Sequence, residues 1–157
     1  MARFFDIDAA NEALRELRTI LETLRDERTQ LIALRDDFAR LTARETAPPG
    51  EGLGGEQPAA DERPAPEEAD DPSPAAADRR RLRLRMQGVI DQMQAGVARI
   101  DELGVTLREI ETGLIDFPAL VSGRQVWLCW RLGEGDVEWW HELSDGFDGR
   151  RPLAELA

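Results

Sequence analysis

From Asp8 to Arg44 the chain runs without a glycine or proline, while Leu14, Leu17, Leu21, Leu24, Leu31, Leu34, Phe38 and Leu41 recur mostly at steps of three and four. That spacing lays one apolar stripe along an α-helix, which at 1.5 Å per residue is roughly 55 Å long. Asp8 stands where an N-cap is expected. A second stripe starts after Asp78 with Leu82 and Met86, continues through Ile90, Met93, Ile100, Leu103, Leu107 and Ile110, and stops at Gly113. Glycine there suits the left-handed residue that closes a helix.

Neither stripe is wide enough to form a core alone, so each must cover the other. Set antiparallel, Phe38 meets Met86, Leu34 meets Ile90, Leu31 meets Met93, Leu24 meets Ile100, Leu21 meets Leu103, Leu17 meets Leu107 and Leu14 meets Ile110. The break in the first stripe, Arg28, then falls opposite Gly96, which leaves room for the arginine stem. Ile20, Ile32, Val89, Val97 and Val105 lie off this seam. They predict a homo-oligomer through the helical arms, as in a four-helix bundle, against the simpler reading of isolated surface aliphatics.

Between the arms, residues 46–77 carry seven of the nine prolines and eight acids against the single Arg63, so most of the net charge of −12 resides there. Such a segment has little to bury and is expected to be disordered. After it comes Arg79-Arg80-Arg81-Leu82-Arg83-Leu84-Arg85, with Arg35, Arg40 and Arg44 at the near end of the first arm. This basic tip reads either as a solvated charge run or as a phosphate or nucleic-acid contact. The folded part has no global basic field, and nucleic acid is not the expected partner.

Absences narrow the chemistry. Every basic side chain is arginine, which excludes a Schiff-base or phosphate-loop lysine, and His141 and Cys129 are the single histidine and single cysteine. No apolar run resembles a signal peptide or membrane span, so the expectation is a cytoplasmic protein without a membrane partner. Enzymatic activity is not expected, and no cofactor is indicated.

Past residue 113 the alternation changes to period two, over Arg124 to Leu132 and Val137 to Leu143, predicting a β-hairpin around Glu134-Gly135. A two-residue loop would face Trp130 with Trp139 and Leu128 with His141. Val126, Leu128, Trp130, Leu132, Val137, Trp139, His141 and Leu143 would then pack on the helix ends. Trp127, Cys129, Arg131, Glu138, Trp140 and Glu142 would face outward, Arg131 pairing with Glu138. Phe4, Phe5 and Ile7 could add a third strand, Asp116 before Phe117-Pro118 reads as a turn former, and the tail through Leu153 would cover the second face.

The segments Phe5-Asp-Ile-Asp-Ala-Ala-Asn11, Gly113-Leu-Ile-Asp-Phe-Pro118, Leu128-Cys-Trp-Arg-Leu-Gly-Glu134, Trp140-His141 and Gly146-Phe-Asp-Gly-Arg150 together resemble the uncharacterised prokaryotic proteins grouped as domain of unknown function 2203. Those proteins typically have a proline in the first helical turn where this chain has Arg15, a difference that bears on helix entry. The resemblance supports the fold, implies no reaction, and draws notice to Asp116, Cys129, Trp130, Glu134, Trp140, His141 and Arg150.

The expected fold is α+β, mainly α: residues 1–45 a strand-like start and first arm, 46–77 the insert, 78–113 the second arm, 114–157 a β-hairpin cap and tail. The expected function is non-enzymatic interaction or scaffolding through the self-associating hairpin, with a protein or peptide partner admitted. The alternative is a ligand or metal site on the cap, possibly enzymatic. An aromatic groove with cationic edges draws on Asp116, Trp127, Arg131, Glu134, Trp140 and Arg150, joined by Arg151. A metal site draws on Cys129, His141 and Glu142, with Asp116 or Glu134 as other possible carboxylates. The hairpin register puts Cys129 and His141 on opposite faces, which disfavours a thiol nucleophile. A bulge shifting one strand by a residue would bring them together.

Overall fold

In the computed structural model, residues 3–46 and 73–156 are described. The predicted disorder falls largely on residues 47–72, outside that range. Two antiparallel helices, α1 (Ile7–Thr46) and α2 (Pro74–Glu102), precede five strands: β1 (Thr106–Glu109), β2 (Leu114–Val121), β3 (Arg124–Arg131), β4 (Trp139–His141) and β5 (Arg151–Pro152). The strands form one antiparallel sheet in sequence order.

Helix α1 starts earlier than Asp8 suggests, because Asp6 Oδ1 accepts from the Ala9 N–H at 2.7 Å and is the cap. Helix α2 begins at Pro74 rather than Asp78, with Ser73 Oγ capping the Ala76 N–H at 3.1 Å and proline in the first turn. The predicted second arm runs about three turns past the observed end of the helix. It stops at Glu102, where Leu103 and Gly104, at φ +81°, end the helix. Leu103, Leu107 and Ile110 repeat at helical spacing, but Leu107 lies half-buried in strand β1, and Val105, just before that strand, is buried in the core. Gly113, expected as the helix stop, instead holds φ +67° in the β1–β2 turn, and a Cβ there would come within 2.5 Å of Leu132 Cβ.

The helix register agrees with expectation at the distal tip, where Glu45 pairs with Arg79, and slips toward the sheet. Glu16 meets Arg99 at 2.6 Å, where the predicted offset would bring Arg108. Gly96 accordingly faces Leu24 and Ile20, and Arg28 reaches Glu111 at 3.7 Å, so the predicted Arg28–Gly96 pairing does not form. Of the five aliphatics off the predicted seam, Val89 and Val105 are buried within the chain, Ile20 and Ile32 half-buried, and Val97 exposed. In the arginine run, Arg81 pairs with Asp78 and Arg83 lies over the Phe38 ring.

The core lies where the proximal third of α1 meets the inner face of the sheet. Ala10, Leu14, Leu17, Leu21 and Leu24, joined by Ile100, pack on Ile115, Phe117, Val126, Leu128, Trp130 and Trp140, all nearly without exposure. Each large apolar side chain so buried contributes about 1.5–3 kcal/mol, so the sheet is half of the core rather than a lid on the helices.

Strand β2 replaces the predicted turn at Asp116-Phe117-Pro118. It forms a hairpin with β3 through Ser122-Gly123, both at positive φ, as a tight two-residue β-turn requires. Pro118 is tolerated because it lies beyond the end of β1. A strand residue's N and O point to the same side, and Pro118 O accepts the Phe5 N–H at 2.8 Å, so no ladder bond is lost. The amino-terminal segment therefore makes no third strand: it adds this bond and the edge-to-face contact of Phe5 with Phe117.

Strand β4 pairs with β3 one residue away from the predicted register: Trp127 faces His141, Leu128 faces Trp140 and Cys129 faces Trp139. The connection is no two-residue loop. Residues 132–138 are held against α1 by the Asn11 side chain, which accepts the Val137 N–H at 2.7 Å, and by Arg18, whose guanidinium donates to Gly135 O at 2.9 Å, while Trp130 Nε1 on β3 donates to the same oxygen at 2.8 Å. Trp140 thus faces the core and Trp139 turns outward, the reverse of expectation. The Arg131–Glu138 pair does not form: Arg131 lies over the Phe147 ring, and Glu134 Oε2 accepts its backbone N–H.

Candidate metal centre

Alternation along β2, β3 and β4 sends Asp116, Cys129 and His141 to the outer face of the sheet. Asp116 and Cys129 are direct cross-strand partners, and the one-residue shift brings His141 alongside them. One donor atom from each, a carboxylate oxygen, Sγ and an imidazole nitrogen, lies within 4.8 Å of the others. The residues are 3 %, 1 % and 2 % exposed, deeper than polar side chains go without partners. This outer face is covered by the turn after β4: Phe147 and Arg150 lie over it, Arg150 stacking on Trp139 and Phe147 with its guanidinium 4.6 and 4.3 Å from the ring centres.

The bonding around His141 is specific. Its Nδ1 lies 2.8 Å from Glu142 O, which only accepts, so Nδ1 carries hydrogen; Nε2 lies 3.0 Å from Asp116 Oδ2. A neutral imidazole has one N–H and cannot satisfy two acceptors. A proton or a metal ion shared between Nε2 and the carboxylate removes the conflict. A histidine pinned through Nδ1–H to a backbone carbonyl, which leaves Nε2 for a ligand, is oriented as metal-ligating histidines commonly are. Asp116 Oδ2 also accepts from Arg108 Nε at 2.8 Å, while Oδ1 has no hydrogen-bond partner among the described residues.

Behind the cluster, the Arg150 guanidinium donates to Glu134 Oε1 at 2.5 Å and faces the Cys129 thiol. Its Nη1 is buried and has no hydrogen-bond partner among the described residues. Burial first, and then the Asp116 charge, push the Cys129 thiol up to about 12, against the smaller opposing effect of Arg150. Such a thiol is almost wholly protonated near neutrality and is no activated nucleophile. A bound metal would remove its proton, since a coordinating thiol ionises outright.

The other expected site residues divide. Glu142 stands outside the three-donor cluster: its carboxylate pairs with Arg124, and its carbonyl holds His141. Trp127 lies half-buried under Arg108, 5.0 Å from its guanidinium. Trp140 is on the opposite face, its Nε1 donating to Pro152 O and Arg151 above its ring, so Trp127, Trp140 and Arg151 frame no common groove. Glu134 and Arg150 support the cluster from behind. The tail places Leu153 against the inner core rather than over the second face. Arg108 and Phe147 were not among the candidates. Arg108 was hidden by the helical reading of residues 103–110, and Gly113 was the available sign of a turn there.

The model of the family described as an uncharacterised conserved protein, DUF2203, matches residues 3–153. No curated protein and no solved structure matches the chain. No helix of the described residues is long and apolar enough to cross a membrane. With the match spanning both helices and the sheet that carries the cluster, this chain belongs to the uncharacterised DUF2203 family.

Proposed function

We propose that the protein binds a divalent transition metal, zinc being the best match, through Asp116, Cys129 and His141. The observation that carries this reading is the convergence of three different donors, all buried, within 4.8 Å. Cysteine, histidine and carboxylate are zinc's usual ligands, and a tetrahedral ion holds them about 3.3–3.8 Å apart. Closing the site therefore needs movements of the order of 1 Å. Arg150 would face the thiolate, and Glu142 O would fix the histidine tautomer. The competing reading is a buried polar network with a purely structural role. Cobalt titration of the metal-free protein decides between them: a thiolate-to-cobalt charge-transfer band at stoichiometric metal, lost in Cys129→Ser, is expected. Failure to form that band, with no zinc retained after dialysis, removes the metal reading.

A second reading, self-association through the helical arms, is favoured by an apolar groove of about 680 Å³ lined by Leu31, Ile90, Met93, Val97 and Leu107. Its single charged wall residue is Asp101, so a second copy packing its own groove there brings only one wall acid from each side. A dimer mass by light scattering that reverts to monomer in Val97→Glu is expected, and a monomer at high micromolar concentration sinks the idea.

A further inference from the structure

The geometry points to a small apolar monocarboxylate as an exogenous ligand of this centre, an inference that rests on the metal reading. Three protein donors leave one position of a tetrahedral ion open to another ligand. Among the described residues, a cleft of about 310 Å³ reaches Asp116 and His141 but not Cys129, which lies behind them under Arg150. The open position therefore faces this cleft. Its volume is at the lower end of small-molecule sites, about 300–1,000 Å³.

Charge selects the ligand. A divalent ion with one thiolate and one carboxylate is neutral, and Arg150 is balanced by Glu134 at 2.5 Å. Arg108, whose Nε holds Asp116 in the cleft wall, adds one positive charge beside the metal. Asp145 in the same wall offsets that charge over the cleft as a whole, but a carboxylate can place one oxygen on the metal and the other toward the guanidinium. Asp145 at the same cleft disfavours a second negative group, such as that of a dicarboxylate or phosphate dianion. The remaining walls, Leu114, Leu143 and Phe147, are apolar, and Leu143 is 53 % exposed, an aliphatic surface that a short hydrocarbon chain would cover.

The test uses the cobalt-loaded full chain, titrated separately with butyrate, acetate and phosphate while the visible ligand-field bands are followed. Butyrate is expected to shift the bands saturably and to bind about tenfold more tightly than acetate, as two further buried methylenes require. Phosphate should be weakest. In Leu143→Ser, butyrate affinity should fall toward that of acetate while the thiolate band persists, as for loss of the apolar wall. Bands unmoved by butyrate, or equal responses to all three anions, overturn the carboxylate assignment and leave the metal reading intact. If the thiolate band never forms, the metal reading and this assignment fall together.

Discussion

The two faces of the sheet are built from alternate residues of the same three strands, yet they are held by different physics. The inner face, with Ile115, Phe117, Val126, Leu128, Trp130 and Trp140, packs on α1 through apolar area alone, apart from the Trp indole N–H groups, each of which finds a backbone carbonyl. The outer face, with Asp116, Cys129 and His141, is as deeply buried but polar, and depends on Arg108, Arg150 and Glu142 O for its bonds. Equal burial thus serves two purposes. The apolar face stabilises the fold irrespective of ligands, whereas the polar face leaves Asp116 Oδ1 and Arg150 Nη1 without hydrogen-bond partners among the described residues. A buried atom left so costs on the order of 1–3 kcal/mol, the kind of local conflict characteristic of binding sites.

Substitutions separate the faces. The largest effect is expected from Trp130→Ala on the inner side, which opens a cavity under α1 and deletes the bond to Gly135 O, at a cost of about 3–5 kcal/mol in urea unfolding. A loss below 1 kcal/mol would mean that the inner face does not carry the fold. On the outer side, zinc at a hundredfold excess over its dissociation constant should add about 2.7 kcal/mol. That gain should vanish in Cys129→Ser while the metal-free stabilities of the two proteins stay closer together. An undiminished gain in the variant would break the assignment of Cys129 as ligand.

Gly113→Ala should cost about 2 kcal/mol, combining a left-handed backbone position with the clash against Leu132. It should also weaken metal binding, because Asp116 lies three residues along the displaced strand. Retained affinity at reduced stability would show that the outer face does not depend on this turn. The smallest effect concerns pH. The folded thiol of Cys129 is raised from 9.0 to about 12, so its contribution is fully present below pH 9 and is lost as pH climbs from 9 toward 12. Metal-free protein should lose up to about 1 kcal/mol between pH 9 and 10 through this residue. The loss should be absent in Cys129→Ser, as read by the difference between their denaturation midpoints.

The long first arm and most of the second were legible because Leu14 to Leu41 and Leu82 to Ile100 keep one helical period without a competing signal. Strands β1 and β2 were not. Leu103, Leu107 and Ile110 keep three-and-four spacing while Val105 and Leu107 are two apart as in a strand, and Pro118 argued against a strand, its position past the end of β1 being set by the fold. Cys129 and His141 stood out by rarity, but the sequence left the carboxylate beside them open among Glu142, the neighbour of His141, Asp116 and Glu134. The carboxylate that reaches them is Asp116, their neighbour across β3.

From residue types and periods alone, this chain had to form two amphipathic helices and a Trp-rich sheet at one end, because those patterns bury apolar area in no other way. Which face Cys129 and His141 occupy was not determined there. Strand alternation has period two, so a single-residue difference in the β3–β4 register turns His141 from the core to the outer face, and Trp140 the other way. That residue was decided by contacts more than a hundred positions apart in sequence, where Asn11 and Arg18 on α1 hold the Val137 N–H and Gly135 O. Only the tertiary structure could set that register, and with it whether a cysteine, a histidine and an aspartate form one site.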